Sequence, residues 1–458
     1  MTDLALDSWI VFCLEKTAMS SSTIRAQEFV SQLQYVEKLI GENRLSDAAR
    51  MLNTLSKTAP ADPRLFLLGS LMAEAANNPA GMLAAAQKAV DMAHGWPVAS
   101  IRLAGVYSAQ GQTQLAVETA EQAIFEATQD NSLNTEYLTR AAAIAIKCQH
   151  YSQAALWAEQ ACGLAPENKQ LKHMWAEALA YNQQFDEAIA MYSSLLEDEP
   201  GNAAVLLDRM LAYSSTQQTD LARQDAAQLL ALDPDNETYR YYSASLNGET
   251  PPTQPASVVT SLFNATAPHF DQHLVEHLQY TLPQDVAQMI AGWYPDKKLD
   301  LLDLGCGTGL LGASLGRVNG VIVGVDLSGA MIEKAHQHRV YAQFNQVNVL
   351  DALQHTPESH YDVITALDVL IYVGDLTPVI PNAHRILTTG GRFVFSCEAA
   401  THDVETFALL STQRYAHQQD HVQQLLESTG FQDIQIQSRD LRLEAGEPVK
   451  GFVVSARK

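Results

Sequence analysis

Apolar positions recur along this chain in two different rhythms. In the first half they follow a helical spacing, with breaks at small and polar residues. NRLSDAARMLNTLSKTAP near residue 50, MLAAAQKAV near 85 and TQLAVETAEQAI near 118 show the pattern. Beyond residue 300 the rhythm changes to short apolar runs. One ends on Asp303. A second, Val321, Ile322, Val323 and Val325, ends on Asp326. Val347, Val349 and Leu350 alternate into Asp351 and predict a third strand. YDVITALDVLIYV, from Tyr361 to Val373, predicts a fourth, with Asp368 following it. AHRILTTGGRFVFSCE, from Ala383 to Glu398, reads as helix, glycine turn and fifth strand. Strands alternating with helical stretches at this pitch predict a parallel sheet covered on both faces.

The helical half is periodic on a longer scale. Pro166, Pro200 and Pro234 fall thirty-four residues apart, and Ala154, Ala188 and Ala222 share that spacing. Thirty-four residues is the period of the tetratricopeptide repeat, a helix–turn–helix unit. Small residues let paired helices approach closely, and proline stops the second helix because it cannot continue the hydrogen-bond ladder. Tyr192 fills the aromatic position of its unit, and Ala142 and Ala176 the small position of the first helix. The expected architecture is five or six helical hairpins stacked as an all-α solenoid over residues 1–245. Three prolines within LNGETPPTQPAS mark residues 246–257 as a linker. Residues 258–458 form the second domain.

The turn after Asp303 narrows the chemistry. Asp303, Gly305, Gly307 and Gly309 make a D-x-G-x-G-x-G arrangement between an apolar strand and an apolar helix. A nicotinamide-dinucleotide fingerprint places its third glycine at position 310, which is Leu310 here. Asp326 lies about twenty residues past the turn, where an acidic side chain accepts from ribose hydroxyls. Ser328 is a candidate helix cap beside it.

In these motifs residues 260–458 resemble the class I S-adenosylmethionine-dependent methyltransferases, a Rossmann-like α/β fold. The resemblance implies S-adenosylmethionine as cofactor. It implies that the glycine turn packs under the homocysteine end and that Asp303 holds the ammonium. It assigns Asp326 to the ribose, Met331 to the adenine face, Asp351 to the adenine amino group and Asp368 to the methyl-transfer site. Ile434–Leu443 and Val449–Ala456, joined by a turn around Ala445, Gly446 and Glu447, resemble the reversed strand pair that closes this fold. The combination with repeats resembles bacterial methyltransferases fused to tetratricopeptide arrays.

Composition bounds the partners. The formal charge is −23, and both halves are acidic, which argues against nucleic acid as a partner. Five scattered cysteines without a C-x-x-C spacing read as free thiols in a reducing, cytoplasmic setting. The N-terminal apolar stretch is broken and short, so neither a signal peptide nor a membrane span is expected. The solenoid implies a protein or peptide partner. Thr139, His173 and Leu207 stand where a carboxylate-gripping array would carry lysine, so no such clamp is expected. A homodimer is left open.

Methyl transfer needs alignment, exclusion of water and sometimes a base. His269, His273 and His277 in LFNATAPHFDQHLVEHLQY share a helical face, beside the pair Phe270 and Asp271. Three readings compete there: a metal site, which lacks a carboxylate set and is not assigned, a base at His273, and a packing face of a lid helix. Tyr372 is the other candidate for the acceptor pocket, with Glu398 at the end of the fifth strand. Arg414, Tyr415 and His417 form a cluster that reads equally as loop anchor or acceptor contact. No Pro-Pro-aromatic follows ALDVLIYV and no cysteine follows a proline, which argues against amino- and cytosine-directed nucleic-acid enzymes. The expected reaction is O- or N-methylation of a small molecule, protein or carrier-bound group. The alternative is a cofactor-binding scaffold without turnover.

Overall fold

The computed structural model describes residues 23–266, 280–444 and 446–458. The chain divides into two compact units between Asp225 and Ala226, ahead of the boundary expected near residue 250.

The first unit is helical. Successive pairs run from Thr23–Gly41 with Leu45–Thr58 to Ala203–Ser215 with Thr219–Leu232, six pairs among the described residues, and the last helix runs across the division. The period is visible in the backbone. Asn43, Asn77 and Gly111 turn each pair in the left-handed conformation, and Gln149, Gln183 and Gln217 do so in the later ones. Each set is spaced by thirty-four residues, with a step of thirty-eight between Gly111 and Gln149. The excess falls in the helix Thr113–Gln129 and the turn after it. Asn134, Asn168 and Asn202 cap the first helices of later pairs by accepting from backbone N–H groups. Ala154, Ala188, Ala222, Ala142, Ala176 and Tyr192 are all buried, as the repeat phase requires.

Among the described residues nine strands form the sheet of the second unit: β1 Leu301–Leu304, β2 Ile322–Asp326, β3 Gln343–Gln346, β4 Tyr361–Ala366, β5 Leu387–Ala399, β6 Phe407–Leu409, β7 Tyr415–His417, β8 Gln432–Glu444 and β9 Glu447–Arg457. The order β3-β2-β1-β4-β5 is parallel throughout. β9 runs antiparallel along β5, and β8 pairs antiparallel with β9. The tip of β5 at Glu398 and Ala399 also pairs with β7. Strand periodicity divides the core between two faces. Leu301, Ile322 and Val363 pack with the helix Leu282–Trp293, whereas neighbouring Leu302, Val323 and Ile364 pack with Val379–Ile386 and Gln419–Thr429.

Three elements differ from expectation. The third strand ends at Gln346, and Val349, Leu350 and Asp351 open the helix Val349–His355 instead. The Asn348 side chain accepts from the Asp351 N–H at 2.8 Å, and this cap outcompetes strand continuation. β4 stops at Ala366 because Asp368 is left-handed, with φ 55°, and Leu370–Tyr372 closes a 3-10 turn. The segment read as a linker is bound to the second unit. Thr253 bridges Val373, the Pro252 carbonyl accepts from Gly374 and Asp375 N–H at 2.9 Å, and the Gln254 side chain reaches the Gln413 carbonyl.

Candidate functional site

Parallel pairing of β1 with β2 brings Asp303, the glycine turn and Asp326 together at the carboxyl end of the sheet. Gly305, Gly307 and Gly309 have φ of 62°, 53° and 85°, a region that side chains disfavour. A Cβ on Gly305 would also collide with the Val369 side chain from the loop after β4. Asp326 ties this corner together. One carboxylate oxygen accepts from Gly307 N–H and the other from Ser328 N–H, both at 2.8 Å. Burial raises its pKa against the opposing effect of these N–H groups. The Ser328 hydroxyl donates to Asn264 Oδ1 at 2.6 Å, so the helix Ala256–Thr266 reaches the same corner.

Asp303 is buried, and burial pushes its pKa up to about 6. Its oxygens accept from the Tyr341 hydroxyl at 2.6 Å and from Thr365 Oγ1 at 2.8 Å. Neither partner was singled out from the sequence. Tyr341 also accepts from Gly312 N–H at 3.2 Å, on a glycine where a Cβ would strike its ring. Met331 is fully buried on the helix Gly329–His336, and Leu327 is the half-buried apolar side chain next to Asp326. Asp351 is exposed in the first turn of its helix and accepts from Asn348 Nδ2 at 2.7 Å. It lines a cavity of about 340 Å³ with Leu302, Val325, Asn345, Val347 and His355.

The ends of β4 and β5 carry a second constellation. Asp368 N–H donates to Ser396 Oγ at 2.8 Å, and the Asp368 carboxylate accepts from Arg442 Nη1 at 2.8 Å. Arg442 also binds Glu398, which pairs with Arg414 Nε at 3.1 Å, and Arg414 in turn binds Glu444. Burial disfavours the Arg442 charge, but Asp368 and Glu398 more than offset it and raise the pKa. The Tyr372 phenol lies in the field of the same groups, and burial pushes it up to about 12. Phe263 packs edge-on against it, with centroids 5.4 Å apart.

The other members of the C-terminal cluster act as anchors. The Tyr415 hydroxyl donates to the Pro251 carbonyl at 2.8 Å. His417 Nε2 donates to the carbonyls of Val373 at 2.9 Å and Gly374 at 3.1 Å. Burial lowers the His417 pKa to about 4. His273 lies outside the described residues, as do His269, Phe270, Asp271 and His277.

Residues 302–393 match the family model described as a methyltransferase domain. This segment is a methyltransferase domain. The chain is 32% identical over 100 residues to a ubiquinone biosynthesis O-methyltransferase of Pseudomonas syringae pv. tomato, covering 21% of this chain and 43% of that protein. It is 32% identical over 99 residues to the same-named enzyme of Coxiella burnetii, covering 21% and 42%. The chain thus spans less than half the length of these curated relatives. Among solved structures, magnesium protoporphyrin IX methyltransferase from Synechocystis PCC 6803 with bound SAH aligns at 19% identity and TM-score 0.35, over 44% of this chain and 99% of that one. A tetratricopeptide-repeat protein with an unusual peptide-binding site aligns at 15% identity and TM-score 0.36, over 43% and 97%. The methyltransferase domain follows, in the same chain, an array of helical pairs that recur at thirty-four residues. Among the described residues no helix is long and apolar enough to cross a membrane.

Proposed function

We propose that the protein transfers a methyl group from S-adenosylmethionine to an oxygen or nitrogen of a small-molecule, protein or carrier-bound acceptor. The observation that carries this reading is the Asp326 carboxylate held against the three-glycine turn at the end of β2, inside a methyltransferase domain. With about four lone-pair sites, the Asp326 carboxylate keeps capacity for a ribose hydroxyl beyond its backbone N–H partners. Met331 is the proposed apolar contact for the adenine, with Leu327 beside Asp326 as a second. Asp351 serves the adenine amino group, and Asp303 the ammonium through lone pairs left free by Tyr341 and Thr365. Bound there, S-adenosylmethionine supplies the electrophilic methyl group. The chain's own residues exclude water and orient the acceptor.

Asp368, Tyr372 and His273 are the proposed acceptor-side groups. With its pKa near 12, Tyr372 keeps its proton at neutral pH and acts as a hydrogen-bond donor rather than a base. The functional division follows the repeat phase: residues 1–245 recruit a protein or peptide partner or a second copy, 246–257 form a strap, and 258–458 bind the cofactor. The free thiols of Cys148, Cys162, Cys306 and Cys397 suit a cytoplasmic location. One observation favours the scaffold alternative: Arg442 already occupies Asp368 and Glu398. Calorimetric titration with S-adenosylmethionine, S-adenosylhomocysteine and NAD tests the reading. Binding of the first two alone is expected. Binding of NAD, or of none, overturns it, and binding without turnover on any acceptor selects the scaffold.

A further inference from the structure

The helical array holds a polar cluster unrelated to the methyltransferase domain. His173 and Glu177 lie four residues apart on the helix Lys169–Tyr181 and share a face. Asp208 comes from Ala203–Ser215, the first helix of the next pair. One donor atom from each of the three lies within 4.8 Å of the other two. His173 Nε2 and Asp208 Oδ2 are already 2.6 Å apart, and both side chains are about three-quarters buried. Tyr192 packs edge-on against the imidazole, with centroids 5.9 Å apart, and fixes the ring plane.

The repeat does not require this set. One period earlier the matching positions are Thr139, Ala143 and Met174, which have no metal-binding trio. The cluster therefore belongs to one place in the array rather than to its general packing.

We infer that His173, Glu177 and Asp208 form a site for a divalent transition-metal ion of the zinc class. Metal–donor distances of about 2.0–2.2 Å hold donors within about 4.4 Å of one another, so closure takes only a small rotamer adjustment. Two carboxylates facing each other in a half-buried place repel, and a cation between them removes that cost. An imidazole beside two carboxylates selects zinc-like ions over magnesium or calcium, which prefer all-oxygen shells. Three protein ligands leave a fourth position open to water or to a group on a partner.

The test uses the full chain, freed of metal with a chelator and titrated with Zn²⁺ by calorimetry. Co²⁺ serves as a spectroscopic probe of the ligand shell. One micromolar site is expected, with Co²⁺ absorption bands of a low-coordinate nitrogen–oxygen shell. His173→Ala, Glu177→Gln and Asp208→Asn should each weaken binding at least tenfold with unchanged circular dichroism. Asp208→Asn keeps a hydrogen bond to the imidazole and so guards against a folding artefact. No binding in the micromolar range, or an affinity untouched by all three substitutions, overturns the assignment. So does metal-independent capture of a lysine-rich peptide that the same substitutions abolish, which would make the cluster a pocket for a cationic side chain.

Discussion

Asp326 performs two tasks with one carboxylate. It holds the glycine turn through Gly307 and Ser328 N–H and, under the proposed function, receives the ribose. Asp326→Ala should weaken S-adenosylmethionine binding about tenfold or more, the worth of one or two hydrogen bonds to a charged acceptor. Calorimetry on the folded variant measures it, and equal affinity would remove the ribose role. His417 offers a stability test. Its folded-state pKa lies near 4, whereas the unfolded chain protonates near 6.5. The unfolded state therefore binds the extra proton between these values. The contribution is intact above pH 6.5 and is lost as pH falls towards 4. His417→Gln, which cannot titrate, should be less stable than the parent at pH 7. The gap should narrow by about 2 kcal/mol at pH 5. Denaturant unfolding at the two pH values gives the answer, and a constant gap would mean that the histidine is not buried neutral.

At the scale of elements, the first βα turn and the loop after β4 are built around each other. Gly305 is left-handed, and its missing Cβ leaves room for Val369. Gly305→Ala should destabilise the second unit by about 1–3 kcal/mol. Adding Val369→Ala should recover the steric part and leave the conformational part. Strict additivity of the two in thermal melts would show that they do not meet. The β8–β9 hairpin carries a second device. Pairing shifts between Asp440 and Arg442, where two steps along β8 face one along β9. This bulge buries both Leu441 and Arg442, which simple alternation would place on opposite faces. Arg442→Met should leave Asp368 and Glu398 without their shared cation and cost about 3–5 kcal/mol, read from denaturant unfolding.

At the scale of the whole molecule, the compact division at Asp225–Ala226 places the helix Glu237–Leu246 with the second unit. Its buried Tyr241 donates to Gln413 Oε1 at 3.0 Å, close to the Gln254 strap. A fragment of residues 233–458 should therefore fold and bind cofactor. A fragment of 247–458 should melt several degrees lower, because it loses the Tyr241 contact. Equal melting temperatures would make that helix part of the array alone.

Local chemistry made much of this protein legible in the amino-acid order. The thirty-four-residue recurrence of alanine and proline marks helical pairs because close helix contact and helix termination depend on single residue types. The glycine-rich turn and the acids at the ends of β1 and β2 were equally plain, since glycine takes left-handed dihedrals with the least strain. Asp351 was placed at a strand end because apolar neighbours mimic a strand, while a side-chain cap three residues earlier decided for helix. Tyr341, Thr365, Ser396 and Arg442 carry no local signal. Their roles arise where strands distant in sequence meet and a bulge turns one cation inward. Sequence periodicity determined the two architectures, and the glycine turn marked the corner where cofactor binding is proposed. Only tertiary packing decided which buried charges face one another, because desolvation and pairing depend on neighbours that the chain order does not name.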